Sequence, residues 1–185
     1  MTLTGHWLRA VLFAAISLLL AACAGPLTET PTEAVKPIGD FKLGILVVYA
    51  ENAKKGPMSR DATPDELKTA VEAEMRKRFG GLQGKKFYNI SVAVDVYALA
   101  RTGIPILLTP KSALALTVNI WDDAKQKTIF DEDKQFTTVE KISGRSLIGS
   151  GLSMTADEQL HELVVLTVDK IEAYMRENEP LFIAE

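Results

Sequence analysis

Leu67, Val71, Met75 and Phe79 recur every four residues, with Ala70 beside them. That spacing draws one apolar stripe along a helix. Thr63-Pro64-Asp65-Glu66 opens it as a capping box, and Gly80-Gly81 closes it after Arg76, Lys77 and Arg78. A second helix starts at Thr155-Ala156-Asp157-Glu158. It carries Leu160, Val164, Val168, Ile171 and Met175 on one stripe, Leu163 and Tyr174 at its edges, and ends at Asn178 and Pro180.

Between and before these helices the period changes. Ile90, Val92, Val94 and Val96 alternate with polar or small residues from Tyr88 to Tyr97, which predicts a strand with one face in the core. Leu114, Leu116, Val118 and Ile120 repeat the pattern through Trp121. Asp122 to Gln126 reads as a turn, and Thr128 to about Val139 as the returning arm of a hairpin. Asp131-Glu132-Asp133 breaks that arm's alternation and predicts a bulged or edge strand guarded by charge. Leu43 to Ala50 is instead a continuous apolar, β-branched run, which predicts a strand buried on both faces and hence central in its sheet. The order β-α-β-β-β-α predicts an α+β domain: a small mixed or antiparallel sheet with two helices packed on one face.

The start of the chain has another logic. His6 and Arg9 precede an apolar run from Val11 that ends in Leu20-Ala21-Ala22-Cys23, the position of the single cysteine. The run is shorter than the ~20 residues a membrane span requires and has the layout of a secretory signal. Leu20-Ala21-Ala22-Cys23 resembles the lipobox of bacterial lipoproteins. The resemblance implies cleavage before Cys23 and acylation of its thiol and new amine, which anchors the protein in a membrane. Ala24 is not the Asp that resembles an inner-membrane retention signal, so the outer membrane is favoured. Residues 1–22 are then a signal peptide, 23–40 a lipidated cysteine with a Pro-rich tether, and 41–185 one periplasm-facing domain.

Charge narrows the partners. The chain has 21 Lys+Arg against 24 Asp+Glu, and loss of Arg9 with the signal leaves it slightly more acidic. Nucleic acid asks for basic patches, so it is not an expected partner. One cysteine permits no disulfide within the chain.

Candidate chemistry is sparse. The only histidine after the signal, His161, lies on a helix without a metal-ligand spacing and reads as a surface residue. Asp131 and Asp133 share one side of a strand about 7 Å apart, but nothing marks a sugar cleft or a calcium loop. No cofactor or metal site is expected. Gly144 to Gly151, with Arg145, Ser150 and Gly151, lacks the lysine of a phosphate loop but precedes a helix start. It supplies the alternative of an anion- or small-ligand-binding module over 143–155. Ile104, Ile106, Leu107 and Leu108 are large aliphatics in the connection between two strands, flanked by Pro105 and Pro110. They read either as a plug for the core or as an apolar patch for a partner or lipid.

The lipobox, the tether, the two helices and Gly149-Ser150-Gly151-Leu152-Ser153 together resemble small lipoproteins of α-proteobacteria. That group has no established activity, so the likeness implies localisation and supplies no catalytic residue. More distantly, the layout is similar to lipopolysaccharide-assembly and ABC-transport accessory lipoproteins. The expected function is therefore a non-enzymatic, membrane-anchored lipoprotein that binds a protein partner or envelope component. A carboxylate-dependent hydrolase is the remaining alternative.

Overall fold

A computed structural model describes residues 36–101, 112–140 and 154–183. They belong to the unit Val35–Glu185. The elements are β1 (Phe41–Tyr49), β2 (Lys54–Lys55), α1 (Pro64–Phe79), β3 (Lys86–Ala98), β4 (Ala113–Asp122), β5 (Lys127–Thr128), β6 (Lys134–Val139), α2 (Ala156–Glu177) and a 3-10 turn (Glu179–Phe182).

The sheet has six strands in four lanes. β1 and then β2 run parallel to β3 along one side, β4 is antiparallel to β3, and β5 and β6 pair with the far side of β4. Both helices pack against the sheet and each other over the core formed by Leu46, Val48, Ile90, Val92, Val94, Leu116, Val118 and Ile120. This is the expected α+β architecture.

The helices form for the reasons their sequences give. Thr63 Oγ1 accepts the Glu66 N–H while Glu66 accepts the Thr63 N–H, and Thr155 and Glu158 do the same for α2. Each such cap is worth about 1 kcal/mol. Leu67, Val71, Met75 and Phe79 are all buried, as are Leu160, Leu163, Val164, Val168, Ile171 and Met175. Gly80 ends α1 in a right-handed conformation, so no left-handed glycine is needed there.

Three expectations need correction. β1 is an edge strand, not a central one: among the described residues only β3 flanks it along its length, and Ile45 and Tyr49 are 65% and 54% exposed. A continuous apolar run carries no period to separate its two faces, so sequence alone assigned both to the core. Val96 does not join Ile90, Val92 and Val94. A bulge between Val94 and Val96 inserts Asp95 into the β3–β4 ladder and reverses the phase, so Val96 faces out and Tyr97 faces in. The arm from Thr128 to Val139 is not continuous. It breaks between β5 and β6, and Asp131-Glu132-Asp133 occupies the break rather than a strand.

The core is aromatic at one pole. Phe41 stacks on Tyr88 with centroids 5.2 Å apart, and Phe182 meets both rings edge-on at 5.8 and 5.4 Å. Phe130 links Phe182 to Tyr174. The N-terminal segment enters here, and its docked part begins before the expected boundary at 41. Arg176 donates to the carbonyls of Lys36 and Pro37, Glu179 accepts the Gly39 N–H, and the Asp40 N–H reaches the Phe182 carbonyl at 2.7 Å. Gly39 has φ +51°, and a Cβ there would stand 2.8 Å from that carbonyl oxygen. Glycine is required at this crossing. Ile38 is buried.

Candidate functional site

The opposite pole gathers chain connections. β3 and β6 end there, β4 begins there, and both helices present their first turns. β3 spans 13 residues between the two poles, an extended length of about 40 Å. Buried hydroxyl groups gather here. Ser59 Oγ donates to the Arg60 carbonyl at 2.7 Å and accepts the Leu99 N–H at 2.8 Å. Ser112 Oγ accepts the Ala100 N–H at 3.3 Å, and its carbonyl accepts the Glu140 N–H. Tyr97, turned inward by the bulge, donates to the Ala62 carbonyl at 3.1 Å just ahead of α1.

Two arginines tie these connections together. Arg60 donates to the carbonyls of Met154 and Thr155, fixing the start of α2 to the segment ahead of α1. Arg101 donates to the Ser59 carbonyl at 3.4 Å. The ends of two expected functional segments are thereby brought to one pole. Arg101 and Ser112 flank the connection that contains Ile104, Ile106, Leu107 and Leu108. Glu140 and Met154 flank the connection that contains Arg145, Ser150 and Gly151. Those seven residues lie outside the described residues, as does Cys23. At the start of α2 the Glu158 carboxylate sits on the Thr155 N–H, and that N–H together with the Thr155 hydroxyl holds it below the ordinary carboxylate range. An anion approaching this helix start meets that negative charge.

The sheet face opposite the helices is the second exposed feature. A polar seam crosses its middle. Asp95 accepts from Thr117 at 2.7 Å and Gln135 at 2.9 Å, Asn119 donates to Asp133, and Asn89 donates to Asp123. Apolar side chains gather on the β1 side: Ile45, Tyr49, Phe87 and Val96 are exposed, with Val47 between the first two. Lys42 lies 4.9 Å over the Phe87 ring. Asn89 also repairs the bulge in β1, accepting the Ile45 N–H at 2.8 Å. Gly44 leaves room for that amide.

Asp122 and Asp123 stand at the turn that the sequence predicts. Asp122 does accept the N–H groups of Ala124 and Lys125, both at 3.0 Å. It is also buried and salt-bridged to Lys86 at 3.0 Å, a pairing with no local signal. Burial works against its charge, but the bonds from Lys125, Lys86 and Ala124 hold its carboxyl below the usual range. Burial pushes the neighbouring Tyr88 phenol up, with Lys86 acting the other way. This group staples β3 to β4 beneath the aromatic pole. His161 is exposed on α2. Among the described residues no three His, Cys, Asp or Glu side chains are grouped to hold a metal, and no helix is long and apolar enough to cross a membrane.

No family model matches the chain, and no curated protein matches it by sequence. Solved structures do resemble it at low identity. A Xanthomonas campestris protein assigned to the DUF330 family is 15% identical, with a TM-score of 0.44 over 78% of this chain and 89% of that one. The PelC dodecamer of Paraburkholderia phytofirmans gives 13% identity and a TM-score of 0.39 over 82% and 93%. A minor lipoprotein of Acinetobacter baumannii gives 17% and 0.28 over 75% and 93%.

Proposed function

We propose that this chain is an exported lipoprotein, held in a membrane by acyl chains on Cys23, whose α+β domain binds a protein partner at the pole formed by Ser59, Arg60, Arg101, Ser112 and Glu140. The domain works by binding rather than by catalysis, on the periplasmic side of the outer membrane. The reading rests on Leu20-Ala21-Ala22-Cys23 for the anchor. For the partner it rests on polarity of placement. The chain enters the domain at Lys36, beside Arg176, while Arg101 and Ser112, which bracket Ile104–Leu108, stand at the other end of β3. Arg101 and Ser112 thus lie at the end of the domain remote from Lys36, and a partner bound at their pole does not use the end where the chain enters.

Crosslinking of the native membrane followed by mass spectrometry tests this. The parent should give a discrete crosslinked species. Ile106→Asp with Leu107→Asp should abolish it while the melting temperature stays within a few degrees. If the double variant unfolds, these residues belong to the core and the partner reading fails.

A further inference from the structure

The face and free edge of β1 do not match its sequence. From Leu43 to Ala50 the strand has no charged residue and is rich in Val, Ile and Leu, the composition of a strand covered on both faces. In the folded chain Ile45 and Tyr49 are exposed on the helix-free face. Along its second side the described residues supply Gln83 and Gly84 at Phe41–Lys42 and the Glu51 carboxylate on the Ala50 N–H, and no strand from Ile45 to Tyr49. The other sheet edge is protected in the usual way: it is broken between β5 and β6 and carries Asp131, Glu132, Asp133 and Lys134. Among the described residues one edge is guarded and the other is open from Ile45 to Tyr49.

We infer that β1 pairs with β1 of a second copy of this chain, antiparallel about a two-fold axis at Val47, joining two sheets into one. The faces and charges of β1 select this occupant. In an antiparallel pair opposed residues share a face, and Ile45, Val47 and Tyr49 all lie on the helix-free face. With Val47 opposite Val47, each Ile45 meets the Tyr49 of the second copy, giving a continuous apolar stripe of six side chains. The same register brings Lys42 of one copy within one residue of Glu51 of the other, twice over, with no like charges opposed. A partner lacking that symmetry gains the hydrogen bonds but not both ion pairs. The interface is independent of the pole at Arg101 and Ser112, so it adds a second surface to the function proposed above.

The test uses the full chain in detergent, followed by sedimentation and light scattering. The parent should be a dimer. Val47→Lys places two ammonium groups face to face at the axis and should weaken dimerisation by about tenfold or more, with unchanged far-UV circular dichroism. Ile45→Lys, at a site 65% exposed, should act in the same direction and decides the matter if the first variant does not fold. Val47→Cys should form an intermolecular disulfide on mild oxidation above that of the parent, while Thr137→Cys on the guarded edge should not. A parent that stays monomeric to about 100 µM, or a folded Ile45→Lys variant that associates like the parent, overturns the inference.

Discussion

Arg78 in the last turn of α1 and Glu172 on α2, 94 positions apart in the chain, meet through a 2.5 Å charged hydrogen bond. The same guanidinium reaches Asp169 at 2.6 Å and Glu74 at 3.3 Å, and Glu172 passes the network to Arg176 at 2.6 Å. Arg176 in turn holds the carbonyls of Lys36 and Pro37. One chain of charged groups thus joins both helices and the entering segment.

Removing its centre should therefore cost more than a surface pair. Glu74 is only 2% exposed, and Arg78→Ala leaves it with Lys77 alone. The expected loss is about 1–3 kcal/mol, since the buried carboxylate loses one of its two charged hydrogen bonds and keeps its desolvation cost. Urea denaturation reads this as a lower midpoint at unchanged slope. A midpoint equal to the parent's would show that the network is ornamental to stability.

Acid should report the same network. Burial opposes the charge on Glu172, but the hydrogen bonds from Arg78 and Arg176 prevail and hold its folded pKa below the ordinary 4.5. A depressed carboxylate stabilises the fold fully above its unfolded value, and that contribution is lost as pH falls through the folded value. Stability should fall below about pH 4.5, and the fall should be shallower in Arg78→Ala. Equal slopes in parent and variant would reject the assignment.

Val71 and Val168 sit mid-stripe on their helices and are fully buried. Aspartate at either position buries an unpaired charge and should destabilise by several kcal/mol, on the order of 3 or more. Thermal melts matching the parent would mean that the two helices do not share this core.

The bulge at Asp95 makes a contrast that a regular strand would reverse. Val96→Thr should change stability by no more than about 0.5 kcal/mol, because Val96 faces outward. Tyr97→Ala should cost about 3 kcal/mol, since Tyr97 is buried and bonded to the Ala62 carbonyl. Equal effects at the two sites would place both on one footing and refute the phase reversal.

The anchor has its own test. Cys23→Ser should yield a soluble or unprocessed protein with no incorporated palmitate label. Label equal to the parent's would remove Cys23 from that role.

What could be read in the chain was whatever repeats locally. The helix stripes and both capping boxes follow from spacings of three and four residues, and β3 and β4 follow from alternation. Local pattern carries no information about contacts that only the tertiary fold creates. β1 has no period to reveal its bare face, and the added Asp95 is invisible until β4 is laid beside it. Lys86–Asp122 and Arg78–Glu172 unite positions that topology alone brings together. Phe182 escaped notice because it follows the helix-ending Asn178 and Pro180, yet it seals the aromatic pole. For the candidate site, the segments were legible as oddities of composition, while the convergence of their flanks through Arg60 and Arg101 was not.

The parallel pairing of β1 with β3 has a mechanical consequence. The chain enters at the foot of β1, and the strands run from there to the pole bearing Arg101 and Ser112. A pull between Lys36 and anything gripping that pole acts along the strand axis. The β1–β3 ladder is then loaded in shear, its hydrogen bonds resisting together, whereas a sideways pull would unzip them one by one. Before the ladder takes any load, the Arg176 clamp on Lys36 and Pro37 and the Asp40–Phe182 bond must give way. The domain is built to hold when tugged lengthwise from its N-terminal end.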